Sequence, residues 1–68
     1  LDKGQRVLVV DDLLATGGTA SAAVDLIRRT GAIVAATSFV VELPDLGGRN
    51  VLMEKNVSVR SLCKFEGE

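Results

Sequence analysis

The chain has 68 residues, of which 47% are hydrophobic and 25% are charged, and its formal net charge is −1. This length allows one domain at most, and the balanced charge argues against a nucleic-acid-binding or membrane-surface module, because both usually need a clustered positive patch. The longest apolar stretch, residues 33–41, is too short to span a bilayer. The single cysteine, Cys63, excludes an internal disulfide, and without a second cysteine or any histidine no zinc site is expected. A reduced, cytoplasmic compartment fits this composition best.

The first half of the chain predicts a strand, a loop and a helix. Residues 6–10 contain a continuous apolar run, which is typical of a parallel strand covered on both faces. A loop over residues 11–18 follows. Apolar residues at helical spacing then predict a helix over residues 19–30, with Thr19 as its N-cap and Gly31 as its C-cap glycine.

The second half predicts two further strands and a short helix. Residues 33–42 are almost wholly apolar and indicate a second strand, which Pro44 ends. A glycine loop at 47–48 precedes a short helix over 49–55 and a more exposed strand over 57–63. The order β-α-β-(short α)-β predicts an α/β fold with a parallel sheet, too thin for an independent domain and more typical of part of a larger sheet.

Two adjacent carboxylates, Asp11 and Asp12, follow the first strand. Ligands of open parallel sheets bind beyond the carboxyl ends of the strands. Ionised carboxylates there suit vicinal hydroxyls, a cation or positive charge that develops on a substrate. The alternative is that one aspartate only caps the turn, but an acidic pair after an apolar strand favours a functional role.

The loop ending in Thr-Gly-Gly-Thr, residues 16–19, predicts a phosphate site. Free N–H groups and the helix dipole favour an anion at a helix N-terminus, and glycines let the backbone approach it closely. An ordinary glycine turn before a helix is the alternative for this loop taken alone. The sequence contains neither G-x-x-x-x-G-K-[ST] nor G-x-G-x-x-G, which excludes a Walker A loop and a dinucleotide fingerprint.

Residues 7–19, VLVVDDLLATGGT, resemble the phosphoribosyl pyrophosphate (PRPP) motif of type I phosphoribosyltransferases. Within that family, the Leu-Leu-Ala spacer is most similar to that of the adenine-specific members. Residues 42–49, ELPDLGGR, are similar to the family's downstream E-L-x-x-L-x-G-R element. The resemblance extends over nearly the whole chain and implies a partial type I phosphoribosyltransferase fold, which is Rossmann-like.

The resemblance also implies a reaction of purine salvage. Adenine and PRPP would give AMP and pyrophosphate, with Mg²⁺ bound mainly through PRPP and with no metal-ligating residue assigned to the chain. It implies a cytoplasmic homodimer as the full-length protein, with small-molecule substrates and neither nucleic acid nor membrane as a partner.

Site residues follow from the same resemblance. Asp11 and Asp12 would be catalytic and would hold the ribose hydroxyls, and Leu13 would lie near the ribose and base. Leu43 would line the adenine side, although a core position is an equally good expectation for it. Glu42 and Arg49 would be structural. The cradle for the 5′-phosphate would consist of Ala15, Thr16, Gly17, Gly18 and Thr19.

One departure from the family pattern concerns the N-terminal side. In the family, the pyrophosphate-binding turn, the flexible lid and the hood that reads adenine precede the acidic strand, whereas only six residues precede Val7 here. We therefore expect residues 1–68 to be the C-terminal part of a single domain that lacks its N-terminal part, and to be inactive alone. A non-catalytic PRPP-sensing relative is the alternative. A receiver-type signalling domain is disfavoured, because the third strand has no aspartate.

Overall fold

The computed structural model describes residues 2–65 as alternating strands and helices. These are β1 (Arg6–Leu14), α1 (Gly18–Arg29), β2 (Ile33–Glu42), a 3-10 turn (Pro44–Leu46), α2 (Gly48–Glu54) and β3 (Val59–Lys64). The predicted α/β class and order of elements are confirmed. Among residues 2–65, no helix is both long enough and apolar enough to cross a membrane.

The three strands form one parallel sheet in the order β1-β2-β3. Asp11 pairs with Phe39, and Phe39 pairs in turn with Ser61. Because all three strands run in the same direction, their carboxyl ends meet at one edge of the sheet. The connections that leave this edge, β1–α1 and β2–α2, therefore start side by side.

The hydrophobic core lies on one face of this sheet, beneath α1 and α2. Its buried members are Leu14, Ala20, Val24, Val34, Phe39, Leu52 and Val57. Side chains alternate between the faces of a strand, so Leu8, Val10 and Leu62 point away from the helices. They are 57%, 65% and 80% exposed. The prediction that the first strand is covered on both faces is therefore not confirmed within the part of the chain that the structure describes.

Several predicted boundaries were wrong, mostly at the site. β1 continues to Leu14 instead of ending at Val10, because β2 pairs with it along its whole length and extends the ladder through the predicted loop. The residue at the N-cap of α1 is Gly17, without a side-chain cap, so Thr19 does not cap the helix. Likewise α2 starts at Gly48, and β3 starts at Val59, where its pairing with β2 begins.

Gly31 ends α1 as predicted, and its replacement is expected to destabilise the fold. Its φ of +87° lies in the left-handed region, which costs a residue with a Cβ about 1–2 kcal/mol. We expect Gly31→Ala to lower the free energy of unfolding by about that amount in urea titrations followed by far-UV circular dichroism. Gly18→Ala is the control, because Gly18 has helical backbone and room for a methyl group. Equal losses in both variants would contradict this explanation.

Candidate functional site

A pocket of about 190 Å³ opens at the carboxyl end of β1, where the chain turns into α1. Pockets that enclose a whole drug-sized ligand have volumes of roughly 300–1,000 Å³, so this one suits part of a ligand. The lining residues are Asp11, Leu13, Leu14, Ala15, Thr16, Gly17, Gly18, Thr19 and Ala20. None of them is positively charged, so an anion would be held by neutral donors.

Backbone N–H groups of the β1–α1 turn supply those donors. Within residues 2–65, the N–H groups of Thr16, Gly17 and Thr19 have no hydrogen-bond acceptor. The Gly18 N–H makes only a long bond of 3.5 Å to the Thr16 hydroxyl. Further along the chain, the Ser21 N–H donates to the Gly17 carbonyl, which starts the helical pattern. Unpaired N–H groups at a helix N-terminus are the arrangement that favours an anion.

The two aspartates have different positions relative to this pocket. Asp11 lies in its wall, whereas Asp12 does not, and consecutive residues of a strand point to opposite faces. The Asp11 Oδ1 atom accepts a hydrogen bond of 2.8 Å from the Asp12 N–H group. Both residues are exposed. The structure thus brings Asp11, but not the side chain of Asp12, to the β1–α1 turn.

The two leucines expected near the substrate also differ. Leu13 lines the pocket, but Leu43 does not. The Leu43 N–H donates to the Leu14 carbonyl at 2.9 Å, so Leu43 joins the β2 end to the start of the loop through its backbone. Sequence reasoning did not identify Leu14 and Ala20 as lining residues. Their apolar character gave no signal for a site, and only the close approach of α1 to the strand end places them there.

Buried Glu42 forms an ion pair with the partly exposed Arg49 near this edge of the sheet. The Glu42 carboxylate accepts hydrogen bonds from Arg49 Nη2 at 2.7 Å and from Arg49 Nε at 3.0 Å. It also accepts a hydrogen bond from the Ser61 hydroxyl at 2.8 Å. Arg49 Nη1 donates to the Val59 carbonyl at 3.1 Å. The hydrogen bonds from Arg49 lower the pKa of Glu42, against the opposing effect of burial. The pair thus ties α2 to β2 and β3, in the structural role expected of it.

Comparison with known proteins agrees with this geometry. The sequence model of the phosphoribosyl transferase domain family matches residues 1–60. An adenine phosphoribosyltransferase from Chlorobium chlorochromatii is 59% identical over 68 residues, covering 100% of this chain and 38% of that protein. Another, from Parvibaculum lavamentivorans, is 64% identical over 63 residues, covering 93% of this chain and 36% of that protein.

Solved structures show the same similarity. The adenine phosphoribosyltransferase of Thermoanaerobacter pseudethanolicus superposes with a TM-score of 0.90 at 46% identity, over 96% of this chain and 38% of that one. The Trypanosoma brucei enzyme, solved with AMP, pyrophosphate and ribose-5-phosphate, has a TM-score of 0.85 at 31% identity, over 94% and 30%. The chain thus spans less than two fifths of the length of these relatives. By its sequence and its fold, it belongs to the phosphoribosyl transferase domain family.

Proposed function

We propose that this chain supplies the ribose-5-phosphate site of an adenine phosphoribosyltransferase. The reaction transfers the 5-phosphoribosyl group from PRPP to adenine and gives AMP and pyrophosphate in purine salvage. The observation that carries the proposal is the pocket that joins Asp11 to the free N–H groups of the β1–α1 turn. Relatives at 59% and 64% identity bear the name of this enzyme, which supports adenine as the base.

In the proposed mechanism, residues 15–19 hold the 5′-phosphate through their backbone N–H groups. The Asp11 carboxylate accepts hydrogen bonds from ribose hydroxyls, and the negative charge of Asp11 and Asp12 lies close to the reacting sugar. Positive charge develops on the sugar as pyrophosphate leaves, and these carboxylates stabilise it. Leu13 packs near the ribose and base, and Leu43 is proposed to contribute apolar surface on the adenine side.

Magnesium is proposed to be bound mainly through PRPP itself. Residues 2–65 contain no cluster of three or more His, Cys, Asp or Glu side chains that could hold a metal ion. Magnesium sites commonly use one or two carboxylates together with substrate phosphates, and Asp11 is the carboxylate in the wall of the pocket. When bound, the ion would neutralise charge on the leaving pyrophosphate.

The remaining parts of the proposal concern the whole protein. We propose that residues 1–68 correspond to the C-terminal part of a single phosphoribosyltransferase domain and are inactive alone. The span of less than two fifths of the relatives' length supports this. We also propose that the complete protein is a cytoplasmic homodimer whose ligands are small molecules.

The test combines binding with turnover. Titration of the ¹⁵N-labelled chain with ribose 5-phosphate or AMP should shift the amide resonances of residues 16–20, because the phosphate accepts hydrogen bonds there. Ribose and adenosine, which lack the phosphate, are the matched control ligands and should leave these resonances in place. Adenine and PRPP together should release no pyrophosphate with this chain.

Two results would count against the proposal. Equal shifts with ribose and ribose 5-phosphate would refute a phosphate cradle, and release of pyrophosphate would refute inactivity of the chain alone. A longer form of the protein that binds PRPP without consuming it in the presence of adenine would instead establish the non-catalytic, PRPP-sensing alternative.

A further inference from the structure

We infer that Gly48, at the start of α2, is a positioning residue for the phosphate loop. The inference rests on the proposed function, because it concerns how residues 15–17 are held for a phosphate ligand. Gly48 does not line the pocket, so it acts through the loop rather than on the ligand. It belongs to the segment 42–49, in which the sequence predicted a substrate contact for Leu43 and only a loop at Gly48.

Direct contact between the two turns supports this role. The Gly48 N–H group donates to the Ala15 carbonyl at 3.0 Å. A Cβ atom on Gly48 would lie 2.7 Å from Leu14 Cδ1 and 3.0 Å from the Gly17 nitrogen, and it would collide with the Ala15 carbonyl oxygen. The turns therefore pack backbone against backbone, and no larger residue fits at position 48 unless the loop moves.

The contact is equally close when it is measured from Gly17. A Cβ atom on Gly17 would lie 2.9 Å from Gly48 Cα and 3.0 Å from the Gly48 carbonyl oxygen. Both glycines are buried. The N–H group of Gly17 is one of the free donors of the pocket, so a shift of Gly48 would move a donor directly.

Gly48 is itself anchored by its neighbour. The Arg49 guanidinium donates to both carboxylate oxygens of Glu42 and to the Val59 carbonyl, so the start of α2 is tied to β2 and to β3. These bonds hold Gly48 against Ala15 without any help from a ligand. The sheet thus sets the shape of the phosphate loop through Gly48, which reduces the conformational entropy that is lost when a ligand binds.

Gly48→Ala is the test, and Gly47→Ala is its matched control. Gly47 has a φ of +79°, and a Cβ atom added there would meet nothing within 4 Å, so its replacement adds backbone strain without touching the loop. We expect Gly48→Ala to weaken binding of ribose 5-phosphate by the 68-residue chain at least about tenfold, because a small misplacement of donors is costly. Gly47→Ala should lower the melting temperature but leave the dissociation constant unchanged.

A second measurement on the unmodified chain covers the case in which Gly48→Ala does not fold. At a ribose 5-phosphate concentration of about 100 times Kd, exchange of the Gly48 amide hydrogen should slow by about 100-fold, since opening this contact would require release of the ligand. The Leu46 amide, which donates to Leu43 within the 3-10 turn, is the internal control and should slow less.

The outcomes separate this inference from the proposed function. If the unmodified chain does not bind ribose 5-phosphate, the proposed function fails and the role of Gly48 fails with it. If the chain binds but Gly48→Ala binds equally well, or Gly48 is protected no more than Leu46, the positioning role alone is overturned.

Discussion

Replacing Glu42 by glutamine should lower the free energy of unfolding by about 2 kcal/mol at neutral pH, because it weakens the charge-assisted hydrogen bonds to a buried carboxylate, whereas Arg49, 33% exposed, stays in contact with water. Glu42 is 2% exposed and accepts three hydrogen bonds, two from Arg49 and one from Ser61. A glutamine side chain is neutral, and its NH₂ group is a donor where Glu42 has a second acceptor oxygen. At least one of the present hydrogen bonds to Glu42 is therefore lost. The loss is large for a chain of this length, for which a total stability of roughly 3–10 kcal/mol is expected.

The effect of this substitution should depend on pH. The folded-state pKa of Glu42 lies below the ordinary value of 4.5, chiefly because of its hydrogen bonds from Arg49. A carboxylate with a lowered pKa stabilises the fold above its unfolded-state pKa, and this stabilisation is lost as the pH falls through the folded-state pKa. The difference between the original chain and Glu42→Gln should therefore be constant near neutrality and shrink below about pH 4.5.

Urea titrations followed by far-UV circular dichroism would measure both effects, since the chain contains no tryptophan or tyrosine. Asp25→Asn is the matched control. It breaks a second ion pair, in which Lys55 Nζ lies 2.9 Å from Asp25 Oδ1 at the surface. Exposed pairs contribute about 0–1 kcal/mol. Similar losses in the two variants would show that burial gives the Glu42 pair no special weight.

Replacing Asp11 by asparagine should weaken binding of ribose 5-phosphate by roughly 10- to 100-fold, the loss expected when a charged acceptor of hydroxyl hydrogen bonds becomes neutral. Asparagine keeps an Oδ1 atom, so the bond from the Asp12 N–H group can persist and the local backbone is preserved. Isothermal titration calorimetry would give the dissociation constants. Affinity for inorganic phosphate should not fall, because that ion offers no ribose hydroxyl to Asp11.

Asp12→Asn is compared with Asp11→Asn, because the two neighbouring aspartates of β1 lie differently relative to the pocket. Asp12 does not line the pocket, so its replacement should reduce affinity for ribose 5-phosphate less than Asp11→Asn does. A larger effect at Asp12 would reverse the assignment of the two carboxylates. Loss of inorganic phosphate binding in Asp11→Asn would point to a disturbed loop instead of a lost contact with the sugar.

Local patterns predicted the elements well. The apolar run over 33–42 matched β2, and the apolar spacing with Gly31 located α1 to within one residue at each end. These features depend on neighbours in sequence, which is why they could be read from it. The Thr-Gly-Gly-Thr segment likewise lies in the wall of the pocket, because a helix N-terminus presents its N–H groups through local backbone geometry; phosphate binding there stays a prediction.

Tertiary contacts decided the features that were mispredicted. An acidic pair normally signals the end of a strand, yet pairing with Phe39 and Val41 extends β1 past Asp11. Within this extension, Asp11 lines the pocket and Asp12 does not. The contact between Ala15 and Gly48 joins residues far apart in the chain, so nothing in either local segment could reveal it.

The parallel pairing of all three strands also shapes how the molecule folds. No two strands of the sheet can form a hairpin, so each pairing must wait for a long connection to close, and such non-local contacts make folding slow for a small chain. The turn at residues 15–17 reaches its final form only when Gly48 arrives from the other side of β2. A ligand of this turn is therefore a ligand of the completely folded chain, and its presence should slow global unfolding as well as opening of the turn.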